Sequence, residues 1–244
     1  MSPEIHDEFK WDELPALFPD FEGPGRWLPL LRRHLALVED AASHTRVTSV
    51  PVREAVRRHY AESLELLRVS CSRVRPGSVV DVGSGGGYPG MVIAAVLPGM
   101  AVSLVEPLQK RARLLEAMAV ELGLGNVRVF PLRAEEAGRS ALRDSAELVT
   151  ARAVAPLAEL LEYTVPLARV DGEVVLAKGS SLPGELEEAR GAMAELGCSL
   201  VATEHARPLI SLTLVFATLR KSAPTPEKYP RRPGVPGKRP LQNG

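Results

Sequence analysis

The chain has 244 residues, 45% of them apolar and 25% charged, and a formal net charge of zero. That balance is ordinary for one globular α/β domain with an extension. No apolar run approaches the roughly 18 residues of a membrane helix, and the polar, acidic residues 1–10 do not read as a secretory signal. Cys71 and Cys198 stand apart from each other among apolar neighbours, and the five histidines are scattered. They read as buried free thiols rather than metal ligands, so a cytoplasmic protein without a metal is expected. The neutral total conceals an asymmetry, because residues 221–244 carry six Lys/Arg against one acid. A flexible basic tail on a mildly acidic body is expected, serving either as a polyanion contact or as a solubilising end.

Residues 1–27 are rich in Pro, acids and aromatics and show no clean period. Leu28, Leu31, Leu35 and Val38 recur at helical spacing and predict a helix over 28–40. Ala55, Val56, His59, Ser63, Leu66 and Leu67 place a second helix over 52–69, with a loop at 43–51 between the two. Beyond Pro76-Gly77 the pattern changes. Strands at 79–82, 101–106, 127–131, 147–151 and 173–178 alternate with helices at 89–97, 110–122, 156–168 and 183–196. Such alternation implies a parallel doubly wound sheet. Segments 200–205 and 211–219 are too close together for a helix between them and predict a hairpin with one antiparallel member. Six prolines over 224–240 predict an extended tail. The expected division is a helical extension over 1–75, the sheet domain over 76–220 and the basic proline-rich tail over 221–244.

The segment with most chemical content is Asp81-Val82-Gly83-Ser84-Gly85-Gly86-Gly87-Tyr88-Pro89-Gly90. It reads as strand, tight turn, helix, with glycines that let the backbone approach a nucleotide-like ligand. A P-loop is excluded, because no Lys-Ser or Lys-Thr follows the last glycine. The dinucleotide fingerprint fits only by placing Pro89 where the helix should open. Glu106 ends the next strand, where an acid can accept both hydroxyls of a ribose. This combination looks like the S-adenosylmethionine (SAM) loop of class I methyltransferases. Ala134-Glu135 follows the third strand, at the corner that lies against adenine in such a site. Alone, it also reads as a helix start. Arg152 closes the fourth strand and Lys178 the fifth, both directed at the same crevice. An amine-gripping Asn/Asp-Pro-Pro-Tyr motif is replaced by Arg-Ala-Val-Ala, which disfavours methylation of an exocyclic amine. No cysteine stands at a strand end to serve as a nucleophile. A guanidinium there suits a phosphate or a guanine edge.

These segments, with Lys110-Arg111, Arg133-Ala134-Glu135, Leu176-Ala177-Lys178-Gly179 and Tyr229-Pro230-Arg231-Arg232-Pro233-Gly234, resemble the RsmG/GidB family of bacterial 16S rRNA (guanine-N7) methyltransferases over roughly residues 45–241. The resemblance implies a class I SAM-dependent, Rossmann-like fold with a seven-stranded, mostly parallel sheet and an N-terminal helical extension. It implies methyl transfer from SAM to N7 of one guanosine in small-subunit rRNA near the decoding region. Expected cofactor contacts are Asp81, Gly83, Ser84, Gly85, Gly87, Tyr88, Glu106, Ala134, Glu135 and Arg152. His59, Arg152 and Lys178 are the candidates for positioning substrate, with no general base required. The expected partner is 16S rRNA or an immature small subunit, and a monomer is the expected state. Two departures from the family pattern lie in the front section, Arg46 in place of Asn and Glu62 in place of Asp. A class I methyltransferase with another substrate, and a SAM-binding ribosome-associated protein without turnover, remain alternatives at this point.

Overall fold

The computed structural model describes residues 9–43, 45, 47–72, 75–152 and 155–241. Arg46 and the Ala153-Val154 stretch lie outside the described residues. Two short turns of helix open the described chain, a 3-10 turn at Trp11–Glu13 and α1 (Leu14–Leu17). They are followed by α2 (Pro24–Ala42), which buries Trp27, Leu31, His34 and Val38. That stripe keeps helical spacing but is rotated from the expected one. Leu28 and Leu35 are only partly buried, because the Trp27 indole donates to Phe21 O at 3.2 Å and His34 meets the Tyr60 hydroxyl at 3.1 Å. The buried stripe thus keeps Leu31 and Val38 and takes Trp27 and His34 in place of Leu28 and Leu35.

The second front helix is interrupted. α3 (Val52–Ala55) runs into a π-helical segment at Val56–Ala61 and then into α4 (Glu62–Cys71). A π segment widens one turn and is frequent at functional sites. His59 and Tyr60 lie in it, and both contact Tyr88 at the end of the glycine loop. In α4, fully buried Glu65 accepts from Arg68 and from Arg207 at 2.7–3.2 Å. Arg207 also donates to Leu17 O, so one guanidinium ties the N-terminal turns to the far end of the sheet.

The sheet comprises β1 (Ser78–Val82), β2 (Ala101–Val105), β3 (Val127–Phe130), β4 (Ala146–Arg152), β5 (Ala168–Lys178), β6 (Cys198–His205) and β7 (Val215–Lys221), in the order β3-β2-β1-β4-β5-β7-β6. All pairings are parallel except those of β7 with β5 and with β6. Successive residues face opposite layers. Val79, Leu148 and Val175 join the core under α2, α4, α5 (Gly90–Val96) and α6 (Gln109–Glu121). Val80, Val149 and Val174 face the other layer, which holds α8 (Leu157–Thr164), α9 (Leu182–Glu188) and α10 (Arg190–Leu196). Between β3 and β4 lies one further short helix, α7 (Ala134–Ala137).

The strand and helix limits differ from expectation in a few places. β5 begins at Ala168, and its register with β4 shifts between Ala146 and Leu148. Asp171-Gly172, which reads as a helix end, sits inside this irregular stretch with Asp171 at φ 65°. The helix over 183–196 is two helices that meet at Ala189 (φ −89°, ψ 2°). β7 begins at 215 rather than 211, because Ser211 Oγ accepts from Leu214 N and curls the preceding residues. Both thiols are free, and burial raises Cys71 and pushes Cys198 up to about 12.

The tail is neither free nor wholly extended. Residues 222–241 wrap the α8 layer and include α11 (Val235–Lys238). Body arginines grip tail carbonyls. Arg139 donates to Pro230 O and Lys228 O, and Arg143 donates to Tyr229 O and Thr225 O, all at 2.7–3.1 Å. In return Arg231 clasps fully buried Glu162. Prolines help here, because a chain with preset φ loses less entropy when it docks.

Candidate active site

The glycine loop leaves the carboxyl end of β1, and Asp81 beneath it is fully buried. One carboxylate oxygen accepts the Gly90 N–H at 3.1 Å and the other accepts the Thr150 hydroxyl at 3.1 Å. The Gly83 and Ser84 N–H groups donate to Val105 O at 2.9 and 3.2 Å, and the Ser84 hydroxyl donates to Asp81 O. Asp81 and Ser84 therefore brace the loop from below. Gly87 has φ +95°, and a Cβ there would stand 2.5 Å from Met91 Cγ. A Cβ on Gly90 would strike the Leu104 side chain and the Asp81 carboxylate. Only glycine lets the loop lie this close to its support.

Burial raises the Asp81 carboxyl to about 6, against the pull of the Gly90 and Thr150 hydrogen bonds. Its ordinary value is 3.8, so between these two pH values the folded protein holds a proton that the unfolded chain has released. Stability therefore falls as pH rises through that window and levels off above it. Urea unfolding measured from pH 4 to pH 7 should show this decline in the wild type. The segment should flatten in Asp81→Asn, whose amide can serve both neighbours without a charge.

Glu106 ends β2 on the rim of the same loop. Its carboxylate accepts the Gly85 N–H and the Leu108 N–H, each at 3.0 Å, one on each oxygen. Each oxygen keeps a second lone pair, which suits two adjacent hydroxyls. With Gly85 at φ +54° and nothing nearer its Cβ position than 3.8 Å, the loop and this acid fit a nucleoside sugar. Ala134 and Glu135 open α7 at the neighbouring corner. The Glu135 carboxylate is taken up by the tail, accepting the Gly234 N–H at 2.8 Å. Its side chain thus joins tail to corner, and Ala134 is left as the apolar surface there.

A cleft of about 640 Å³ opens beside the loop over the carboxyl ends of β4 and β5. His59, Arg152, Lys178 and Arg111 line it together with Thr48, Glu62 and Glu185. The glycine loop is not part of its lining. The loop and the cleft meet at one pair of rings. The Tyr88 ring at the end of the glycine loop stacks on His59 of the cleft lining, with centroids 4.1 Å apart and planes at 7°. The Tyr88 hydroxyl meets that of Tyr60 at 3.0 Å, and Tyr60 in turn meets His34.

Arg152 is largely spoken for. It donates to Arg58 O at 3.1 Å, pairs with Glu62 at 3.4 Å and lies 3.4 Å from His59 Nδ1. Burial drives His59 down to about 3, and the Arg152 and Arg58 cations push the same way. The imidazole is therefore neutral at any working pH. Burial raises the Glu62 carboxyl against the pull of Arg152. Lys178 points at the cleft but donates to Ala155 O at 2.8 Å and pairs with Glu185 at 2.6 Å.

Sequence reading missed three members of this assembly. Tyr60 and His34 looked like ordinary helix positions, and Thr48 looked like a loop residue. The available signal was the adjacency of His59 and Tyr60. Both are buried and both reach Tyr88, His59 by stacking and Tyr60 through its hydroxyl.

The family model for rRNA small subunit methyltransferase G matches residues 29–210. A protein named ribosomal RNA small subunit methyltransferase G from Roseiflexus castenholzii is 42% identical over 78% of this chain and 80% of its own length. One of the same name from Symbiobacterium thermophilum is 40% identical over 85% of this chain and 87% of its own. Among solved structures, M. jannaschii TYW2 in complex with AdoMet superposes with a TM-score of 0.51 at 16% identity, covering 66% of this chain and 75% of that one. At that identity the likeness speaks for the fold, the class I methyltransferase sheet. By the extent of the family match and the identity to its members, the chain belongs to the rRNA small subunit methyltransferase G family.

Proposed function

We propose that the protein transfers a methyl group from SAM to N7 of one guanosine in small-subunit rRNA, near the decoding region, acting as a monomer on free rRNA or an immature particle. Family membership makes it a SAM-dependent methyltransferase of small-subunit rRNA. The guanine N7 target is the finer step. The observation that carries it is a donor-rich cleft whose Glu62 and Glu185 carboxylates are already paired with cations, joined to the glycine loop by the Tyr88–His59 stack.

The glycine loop and Glu106 would hold the nucleoside part of SAM, which when bound supplies an already activated methyl group. N7 of guanine carries a free lone pair at neutral pH, so no proton has to leave before it attacks. The neutral His59, whose ring faces both Thr48 and Arg152, is accordingly placed to orient groups rather than to take a proton. Arg152 and Lys178, held by Glu62 and Glu185, orient the base and its flanking phosphates. The remaining work is alignment and exclusion of water. The base must be unstacked to enter such a cleft, which favours open rRNA over a sealed ribosome.

The test is incubation of the purified protein with tritium-labelled SAM and small-subunit RNA from a strain that lacks its own N7 guanine methyltransferase. Digestion and mass analysis should find the label in 7-methylguanosine. Label in an adenosine or on an exocyclic amine would refute the reading.

A further inference from the structure

We infer that the Thr48 hydroxyl is a specificity-determining donor that reads the O6 edge of the target base in the 640 Å³ cleft and so separates guanine from adenine. This deepens the guanine-N7 reading and rests on it. The inference follows from proton bookkeeping along three residues. Arg152 has donors only, and its Nη2 lies 3.4 Å from His59 Nδ1. That nitrogen must therefore present its lone pair. A neutral imidazole holds one ring proton, which is then on Nε2. His59 Nε2 stands 2.8 Å from Thr48 Oγ1 and donates to it. The Val50 N–H reaches the same oxygen at 3.1 Å. A hydroxyl oxygen has two lone pairs, and both are now filled. Among the described residues no acceptor is paired with the Thr48 hydroxyl hydrogen, which is left for a partner in the cleft that Thr48 lines.

The chemistry of that partner is narrow. A donor fixed by two incoming donors cannot turn round to accept. It favours a carbonyl and opposes an amino group. Guanine presents O6 beside N7, whereas adenine presents an amino group at the corresponding position. A hydroxyl also suits this reaction for an electrostatic reason. Methylation at N7 makes the ring cationic, and a neutral donor discriminates without adding charge beside it. The cations in the cleft already face acids, Arg152 with Glu62 and Lys178 with Glu185. In this arrangement His59 and Arg152 are positioning residues for Thr48.

The test compares wild type, Thr48→Val and Thr48→Ser on two small-subunit transcripts, one made with guanosine and one with 6-thioguanosine. The readout is kcat/KM for methylation at N7. On the guanosine transcript Thr48→Val should lose roughly tenfold, the worth of one neutral hydrogen bond, and Thr48→Ser should recover most of it. On the thio transcript, where sulfur is a poor acceptor, wild type and Thr48→Val should converge. Both enzymes meet the same RNA, so any folding defect of that transcript cancels in the ratio. Equal SAM affinity of the variants would show that the fold is intact, and Thr48→Ala read in the same way guards against a packing defect of valine. An equal loss on both transcripts, or none on either, overturns the inference while guanine-N7 methylation stands. Label appearing elsewhere than N7 of guanine overturns both.

Discussion

Replacing Arg231 with alanine should cost about 3–5 kcal/mol of folding stability, the penalty for leaving one member of a buried ion pair alone. The size follows from how completely Glu162 depends on this partner. Its carboxylate is fully buried in α8 and accepts the Arg231 N–H at 2.7 Å, Nε at 2.9–3.0 Å and Nη2 at 2.6 Å. Backbone and guanidinium arrive together from the tail. With the side chain gone, the carboxylate must stay dry and unpaired or the tail must lift to admit water. The second route limits the loss to the lower end of the range. In a urea titration the midpoint should move to lower denaturant, and for a chain of this size the thermal midpoint should drop by roughly 10 °C. Adding Glu162→Gln to Arg231→Ala should recover part of the loss, because it removes the buried charge. An Arg231→Ala protein as stable as wild type would show that the tail is decoration on the fold.

Glu106→Ala should weaken SAM binding about 100-fold, or about 3 kcal/mol, if its carboxylate accepts two ribose hydroxyls at the usual worth of hydrogen bonds to a charged group. The residue also holds Gly85 and Leu108 in place, so the variant loses loop order as well as two acceptors. Calorimetry separates the two effects when SAM is compared with an analogue that lacks both sugar hydroxyls. In the wild type the analogue should bind more weakly by a similar factor. In Glu106→Ala the difference between the two ligands should nearly vanish. If the variant still prefers SAM over the analogue as strongly as wild type does, the sugar is held elsewhere.

Local patterns sufficed for the sheet. Each of β1 to β5 has β-branched residues between turn signals, and the short spacing before β7 revealed the reversed strand. The glycine loop and Glu106 were equally legible, because their chemistry lies in a single stretch or at a strand end. What could not be read depended on distant partners. Glu65 and Glu162 look like surface acids in their helices, and their burial rests on Arg207 and Arg231, 142 and 69 residues away, with Arg68 as a local partner of Glu65 alone. The basic tail looked free for the same reason. Its charge count was visible, but the Arg139 and Arg143 grips on its carbonyls were not. The stack of His59 on Tyr88 joins two elements far apart in the chain, a contact that helical periodicity does not encode.

The clasp of Glu162 by Arg231 also orders events in time. Synthesis runs from the N-terminus, so α8 and the corner at Glu135 emerge well before residues 231 and 234 that satisfy their carboxylates. Until those residues are made, both acids lack these partners, and closing the layer around α8 would leave a buried carboxylate to take up a proton or stay charged. Residues 231 and 234 thus act as a latch on the growing protein, and a chain stopped before residue 231 would hold nearly all of its core with that latch open.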